Sequence, residues 1–284
     1  MELDCSIVDA GGNETLVVWK PVVEDPVERA KITRKCLGVD PGCDRSLAAE
    51  QVAFVMPEKN DDQEIHIEMG GGEFCGNAAR AVAALQFTRS GKRSPNPMLV
   101  HVSGMKEPVK CINNDTGRYQ EVIVEAQIRC APAVTHLSDE STLVQLHGIA
   151  HIVKQIHPEP GERNVEEYGL PDYDALIQSY GEHVRGELAY GLILFQDHRR
   201  GHEIKPFVSV PAIPSTKVET ACASGSLALA LVLNGEGTRE RYFQIFQPSQ
   251  CPYRIGMLKR DGGAFLLSLL SKVEVRFNQI FLTV

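Results

Sequence analysis

"GGGEFCGNAARAVAAL" runs from Gly70 to Leu85, and "VETACASGSLALALVL" runs from Val218 to Leu233. Each sets a Glu just upstream of one cysteine, small or polar residues just after it, and then an apolar stretch of helical length. "ARAVAAL" and "SLALALVL" offer little polar surface, so helices built from them must be enclosed on most sides. A curved sheet wrapped round each helix meets that need. Cys75 and Cys222 lie 147 positions apart in a chain of 284 residues. That spacing suggests an internal duplication with one cysteine-bearing helix start per half.

The rest of the chain fits this division. Short β-rich runs fill residues 15–19, 51–56, 64–69, 98–104 and 120–129, and "EVIVEAQIR" alternates with a period near two. The pattern begins again at 147–156, 188–196, 204–213, 241–247, 265–271 and in the closing "VEVRFNQIFLTV". Surface helices are expected over 25–38 and 172–186, which have acidic starts and a glycine at the end. "APAVTHLSDEST" (131–142) reads as a linker and "HPEPGERNVEEYGLPDY" (157–173) as a loop insertion. The expected fold is α/β (α+β), with two similar halves, each a curved, barrel-like sheet round a central helix. Residues 1–130 form the half carrying Cys75, residues 131–272 the half carrying Cys222, and the last strand, 273–284, returns to the first half.

Composition narrows the function. The chain is 43% apolar and carries 29 basic and 37 acidic residues, a net charge of −8. That balance opposes binding to nucleic acid or an anionic membrane. No apolar run approaches the roughly 20 residues of a membrane span, and "MELDCSIVDA" lacks the features of a signal peptide. A cytoplasmic location with reduced thiols is expected. No CxxC pair occurs among the eight cysteines, and "HRRGH" (198–202) offers two histidines with no third ligand nearby, so no metal is expected. Cys5, Cys36, Cys43, Cys111, Cys130 and Cys251 read as inert packing.

Cys75 and Cys222 read differently because of where they sit. The first turn of a helix presents unpaired N–H groups and partial positive charge, which favours thiolate over thiol and lowers a pKa of about 8.5. Gly76, Asn77, Ala223 and Ser224 let a ligand approach backbone amides that can hold a carboxylate. Two such helix starts facing one ligand suit proton removal and return at the α-carbon of an amino acid. One thiolate abstracts on one face while the other thiol donates on the opposite face, and exchanged roles run the reverse reaction. No cofactor is needed for that chemistry.

At these residues "EFCGNAAR" (73–80) and "ETACASGS" (219–226) resemble the paired catalytic-cysteine motifs of the diaminopimelate epimerase family, which works without pyridoxal phosphate. "GGNET" (11–15) resembles its N-terminal Gly-Asn loop, and "GIAH" (148–151) takes the place of its Gly-Asn-Pro-His loop. The resemblance implies that Cys75 and Cys222 are the acid/base pair, that the amides of Gly76, Asn77, Ala223 and Ser224 grip the α-carboxylate, and that Asn13 lines the pocket. It also breaks down in places: Ile149 replaces the loop Asn, Ala189 and Tyr190 replace another, and no arginine precedes Cys222 in "IPSTKV". A distal carboxylate buried without its cationic partner costs several kcal/mol, which disfavours diaminopimelate.

The chain is more similar to the histidine racemase branch, through "EQVAF" (50–54), "VSGMKEPVKC" (102–111) and "YQEVIVEA" (119–126). That similarity implies conversion of L-histidine to D-histidine for opine-type metal-chelating metabolites. His66, Glu68, Glu73, Tyr190 and Glu219 are candidates to hold an amino group or imidazole, although His66 and Glu68 also read as exposed strand residues, and Glu73 and Glu219 as helix caps. A homodimer is compatible with the sequence. The competing readings are a racemase or epimerase of another amino acid, diaminopimelate included, a phenazine-biosynthesis-type isomerase, and a non-catalytic binding protein whose two thiols form a redox switch.

Overall fold

In the computed structural model the described residues are 1–40, 49–57, 64–91, 96–118, 120–235, 241–261 and 264–284. Cys43 lies outside them. The first half runs β1 (Glu2–Asp9), β2 (Glu14–Lys20), α1 (Pro26–Cys36), β3 (Gln51–Met56), β4 (Glu64–Met69), α2 (Gly76–Arg89), β5 (Met98–Val102), β6 (Val109–Asp115) and β7 (Glu121–Cys130). The second runs β8 (Ala133–His136), β9 (Thr142–Leu146), β10 (Ile149–Gln155), α3 (Leu170–Val184), β11 (Tyr190–His198), β12 (Gly201–Val210), β13 (Ser215–Val218), α4 (Ala223–Asn234), β14 (Arg241–Phe246) and β15 (Pro252–Asp261). A single long strand, β16 (Ala264–Thr283), ends the chain.

The strands join in the order 1-2-3-4-5-6-7-16-15-14-12-11-10-9-8, and β1 also pairs with β16. Strands 1 to 7 with β16 therefore close into an eight-stranded barrel. The second sheet has no such closing pair among the described residues; its free edge is β8. In both halves the same two junctions are parallel: β2 with β3 and β4 with β5, then β10 with β11 and β12 with β14. Parallel neighbours need a crossover, and a helix supplies it each time, outside the sheet (α1, α3) and then inside it (α2, α4). The two halves thus repeat one strand-and-helix plan.

Side-chain size explains how a helix fits inside. From Ala78 to Leu85 every residue of α2 is wholly buried, and alanines at 78, 79, 81, 83 and 84 keep that helix thin enough for a closed barrel. The leucine-rich α4 is thicker and lies within the open sheet. Their apolar surfaces merge into one core spanning both halves. Satellite clusters form where α1 covers Leu3, Leu16 and Phe54, and where α3 covers Ile152, Leu192 and Phe207.

Three local expectations change. Residues 131–142 are not a plain linker: they contain β8, whose four residues are all exposed and so show no alternation. The stretch 157–173 holds a 3-10 turn at Val165–Glu167 and the first residues of α3. The runs 265–271 and 273–284 form one strand, because Lys272 continues the ladder opposite Ile123.

Candidate active site

Cys75 and Cys222 are the N-cap residues of α2 and α4, both in extended backbone geometry. The Cys75 sulfur accepts the Ala78 N–H at 3.4 Å, and the Cys222 sulfur accepts the Gly225 N–H at 3.3 Å. A thiol replaces the usual Ser or Asp cap, which points each sulfur back over its own helix start. The starts also touch: a Cβ placed on Gly76 would lie 3.0 Å from Ala223 Cβ. Both cysteines, with Gly76, Asn77, Ala223, Ser224, Glu73 and Glu219, line one narrow cleft of about 50 Å³ between the halves. That is room for a few water molecules.

Each thiol has a different partner. Cys75 Sγ donates to Gln51 Oε1 at 2.7 Å, and Gln51 Nε2 donates to Thr15 Oγ1 at 2.7 Å, which fixes the amide so that its oxygen faces the thiol. Cys222 has the Glu219 carboxyl as a close electrostatic neighbour, and its backbone N–H donates to Gln247 Oε1 at 2.9 Å. Ser224 Oγ, 3.6 Å from the Cys222 sulfur, pairs with His151 Nε2 at 3.0 Å. Burial holds the His151 pKa down at about 3, so its ring is neutral.

The expected lowering of the thiol pKa does not hold for the free cleft. Burial pushes Cys75 up to about 12; the Glu219 and Glu73 charges add to the rise, and the Ala78 amide opposes it. Cys222 is raised for the same reason, with Glu219 adding to it. Burial also raises Glu73, Glu50 and Glu219, the last to about 8 with the Glu50 charge contributing. The helix-start effect is present, but taking two sulfurs out of water beside three carboxylates outweighs it.

The other candidates divide. Asn13 is fully buried behind the cleft, where its Nδ2 donates to Glu50 Oε2 and to the Ala221 carbonyl, each at 3.0 Å. Asn77 Nδ2 donates to that same carbonyl at 3.0 Å. Two asparagines of the first half thus hold the residue preceding Cys222. Asn77 Oδ1 accepts from Tyr253 and from Arg80, whose wholly buried guanidinium also donates to the Ala10 carbonyl and to Ser271. His66 and Glu68 are not in the cleft. Ile65, Ile67 and Met69 take the inward positions of β4, which turns His66 and Glu68 to a groove on the outer face. Tyr190 is also elsewhere, packed with Tyr173 and Phe207 beneath α3.

Glu50, Gln51, Val208, Val210 and Ile213 line the cleft without any local motif to mark them. "EQVAF" stood out as strand sequence and as a stretch shared with the histidine racemase branch, with no site role attached to either polar residue. Its two polar leading residues, at the start of an otherwise buried β3, were the available signal. Among the described residues the one close group of metal-ligand type is Glu64, His66 and His101. His198 and His202 are not part of it; His202 pairs with Asp197 and His198 packs on Phe246.

Comparison with solved structures places this architecture among racemases and epimerases. It is similar over 99% of its length to a hydroxyproline epimerase from Agrobacterium vitis (TM-score 0.68, 12% identity, 91% of that chain). It also matches a phenazine biosynthesis protein of the PhzF family from Bacillus anthracis over the full length of both chains (TM-score 0.65, 10% identity). Residues 10–258 match the family described as the histidine racemase CntK N-terminal domain, and the chain belongs to that family. It is an isomerase, an amino-acid racemase or epimerase. A histidine racemase of Staphylococcus aureus is 25% identical over 242 residues, covering 82% of this chain and 80% of that one. One of Fusobacterium nucleatum is 27% identical over 210 residues, 72% of this chain and 73% of that one.

Proposed function

We propose that the chain inverts the α-carbon of histidine, with Cys75 and Cys222 as the acid/base pair. The observation that carries this reading is one cleft lined by two thiol N-caps and three carboxylates, the buried Glu73 and the partly buried Glu50 and Glu219. The first-turn amides of α2 and α4 receive the substrate carboxylate and support the negative charge that spreads onto it when the proton leaves. One well-aimed donor of this kind contributes about 3–4 kcal/mol. The carboxylates suit an α-ammonium and an imidazole that donates N–H or carries a charge. An acidic side chain would meet no lysine or arginine among the described residues that line the cleft. The histidine racemases of S. aureus and F. nucleatum among the relatives favour the same substrate.

The thiolate on one face takes the proton while the thiol on the other gives one, so each turnover leaves the pair with its protonation exchanged. A bound ammonium offsets the carboxylates, so thiolate forms more readily in the complex than in the empty cleft. Because burial raises both thiols, kcat/KM should climb with pH across the neutral range, which a pH–rate profile reads directly.

The decisive experiment incubates reduced protein with L-histidine in D2O without pyridoxal phosphate. Deuterium should enter the α-position and D-histidine should accumulate. Cys75→Ala and Cys222→Ala should each lower the rate by at least about a thousand-fold. Exchange confined to another amino acid would sink the substrate assignment; exchange with none would sink the reaction.

A further inference from the structure

The outer face of the first barrel carries a second constellation, away from the cleft. Glu64 and His66 stand two apart on β4, and strand alternation turns both the same way. His101 lies directly opposite His66 on the parallel neighbour β5. The two imidazoles stack with centroids 4.0 Å apart and planes within 8°, and His101 Nε2 is 3.4 Å from Glu64 Oε2. One ligand atom from each of the three residues lies within 4.8 Å of the others. Met56, opposite His66 on β3, and Glu68 flank the two imidazoles in a groove of about 670 Å³.

We infer that Glu64, His66 and His101 form a binding site for a divalent transition-metal ion. Two residues at i and i+2 on one strand plus one on the adjacent strand, about 4.8 Å away, is a spacing from which three side chains converge on one point. Two imidazoles and one carboxylate match the preference of zinc and its borderline neighbours, and the wide groove leaves a fourth position for water or another ligand. The stacked rings present parallel nitrogen lone pairs, so binding requires them to fan by rotation about χ2, bringing both nitrogens to about 2.0–2.1 Å from the ion. Both side chains have the freedom to do so, since each borders the groove. The ion would brace β4 against β5, and β4 leads straight into the loop that carries Glu73 and Cys75.

The test uses Co2+ as the probe on the full-length Cys75→Ala/Cys222→Ala variant, so that the cleft thiols do not compete. One equivalent should bind by titration calorimetry, with d–d bands in the visible spectrum and no sulfur-to-cobalt charge transfer. H101Q and E64Q, both at partly exposed positions, should weaken binding at least about tenfold. In the otherwise unaltered chain, H101Q should leave metal-free racemisation unchanged. Absence of one-to-one binding, a spectrum dominated by thiolate charge transfer, or equal affinity in H101Q and E64Q would overturn the assignment. Because the cobalt spectrum reports ligand type with Glu64, His66 and His101 all in place, the result stands even where H101Q or E64Q fails to fold.

Discussion

Cys75 and Cys222 occupy the same capping position, yet their protons face unlike neighbours: a neutral amide at Gln51 and a carboxyl at Glu219. Only the carboxyl can exchange a proton with its thiol. The unlike partners have a consequence for stability. Glu219 rises from 4.5 to about 8 on burial, so below about pH 4.5 folded and unfolded chains both hold its proton. Between 4.5 and about 8 the folded chain alone keeps it, and stability is lost as pH rises through that window. Glu219→Gln should flatten this decline by an amount on the order of a few kcal/mol, read from urea unfolding at pH 5 and pH 8. An unchanged slope would show that Glu219 is ionised in the fold. The cysteines were legible in the sequence because cap, small residues and apolar helix are contiguous. Gln51 and Glu50 were not, because their approach to the thiols depends on β2–β3 pairing across residues distant in sequence. For His66, the alternation of "EIHIEM" already pointed outward, and that local rule was the better guide.

At the level of elements, the site is the meeting of two helix ends, and glycine sets how closely they meet. Gly76 leaves only the space into which an added Cβ would sit 3.0 Å from Ala223 Cβ, tighter than ordinary contact. Gly76→Ala should push α2 and α4 apart by a few tenths of an ångström and misplace both thiols. Because proton transfer requires reach of about 3 Å, kcat/KM should fall by roughly a hundred-fold with folding largely intact. Steady-state kinetics beside a thermal melt separates the two effects; a full-rate variant would mean that the ends have slack. The enclosed helices were legible from their lack of a polar face. The exposed strand β8 was not, since a strand wet on both faces leaves no period to read. Nor was the continuity of β16, whose polar Ser271 and Lys272 look like a break in a one-dimensional reading. In the fold Ser271 accepts from Arg80 at 2.6 Å, and Lys272 faces outward next to Glu121.

Across the whole molecule, β16 does two jobs along its length. Residues 265–274 pair with β7, and 264–270 also pair with β15, which joins the two sheets; residues 274–283 pair with β1 and close the barrel. The closing half is therefore separable from the joining half. Deleting residues 275–284 should open the first barrel at β1 while leaving the β7–β16–β15 ladder in place. Leu3, Cys5 and Ile7, which pack beneath α1, would then lose a neighbouring strand. Hydrogen exchange should quicken through β1 to β3, and β10 to β12, whose residues pack under α3 in a separate cluster, should keep their protection. Activity should nevertheless vanish, because Asn13 and Asn77 of the first half hold the Ala221 carbonyl that positions Cys222. Uniform loss of protection in both halves would instead mean that the shared core around α2 and α4 makes the two sheets one cooperative unit.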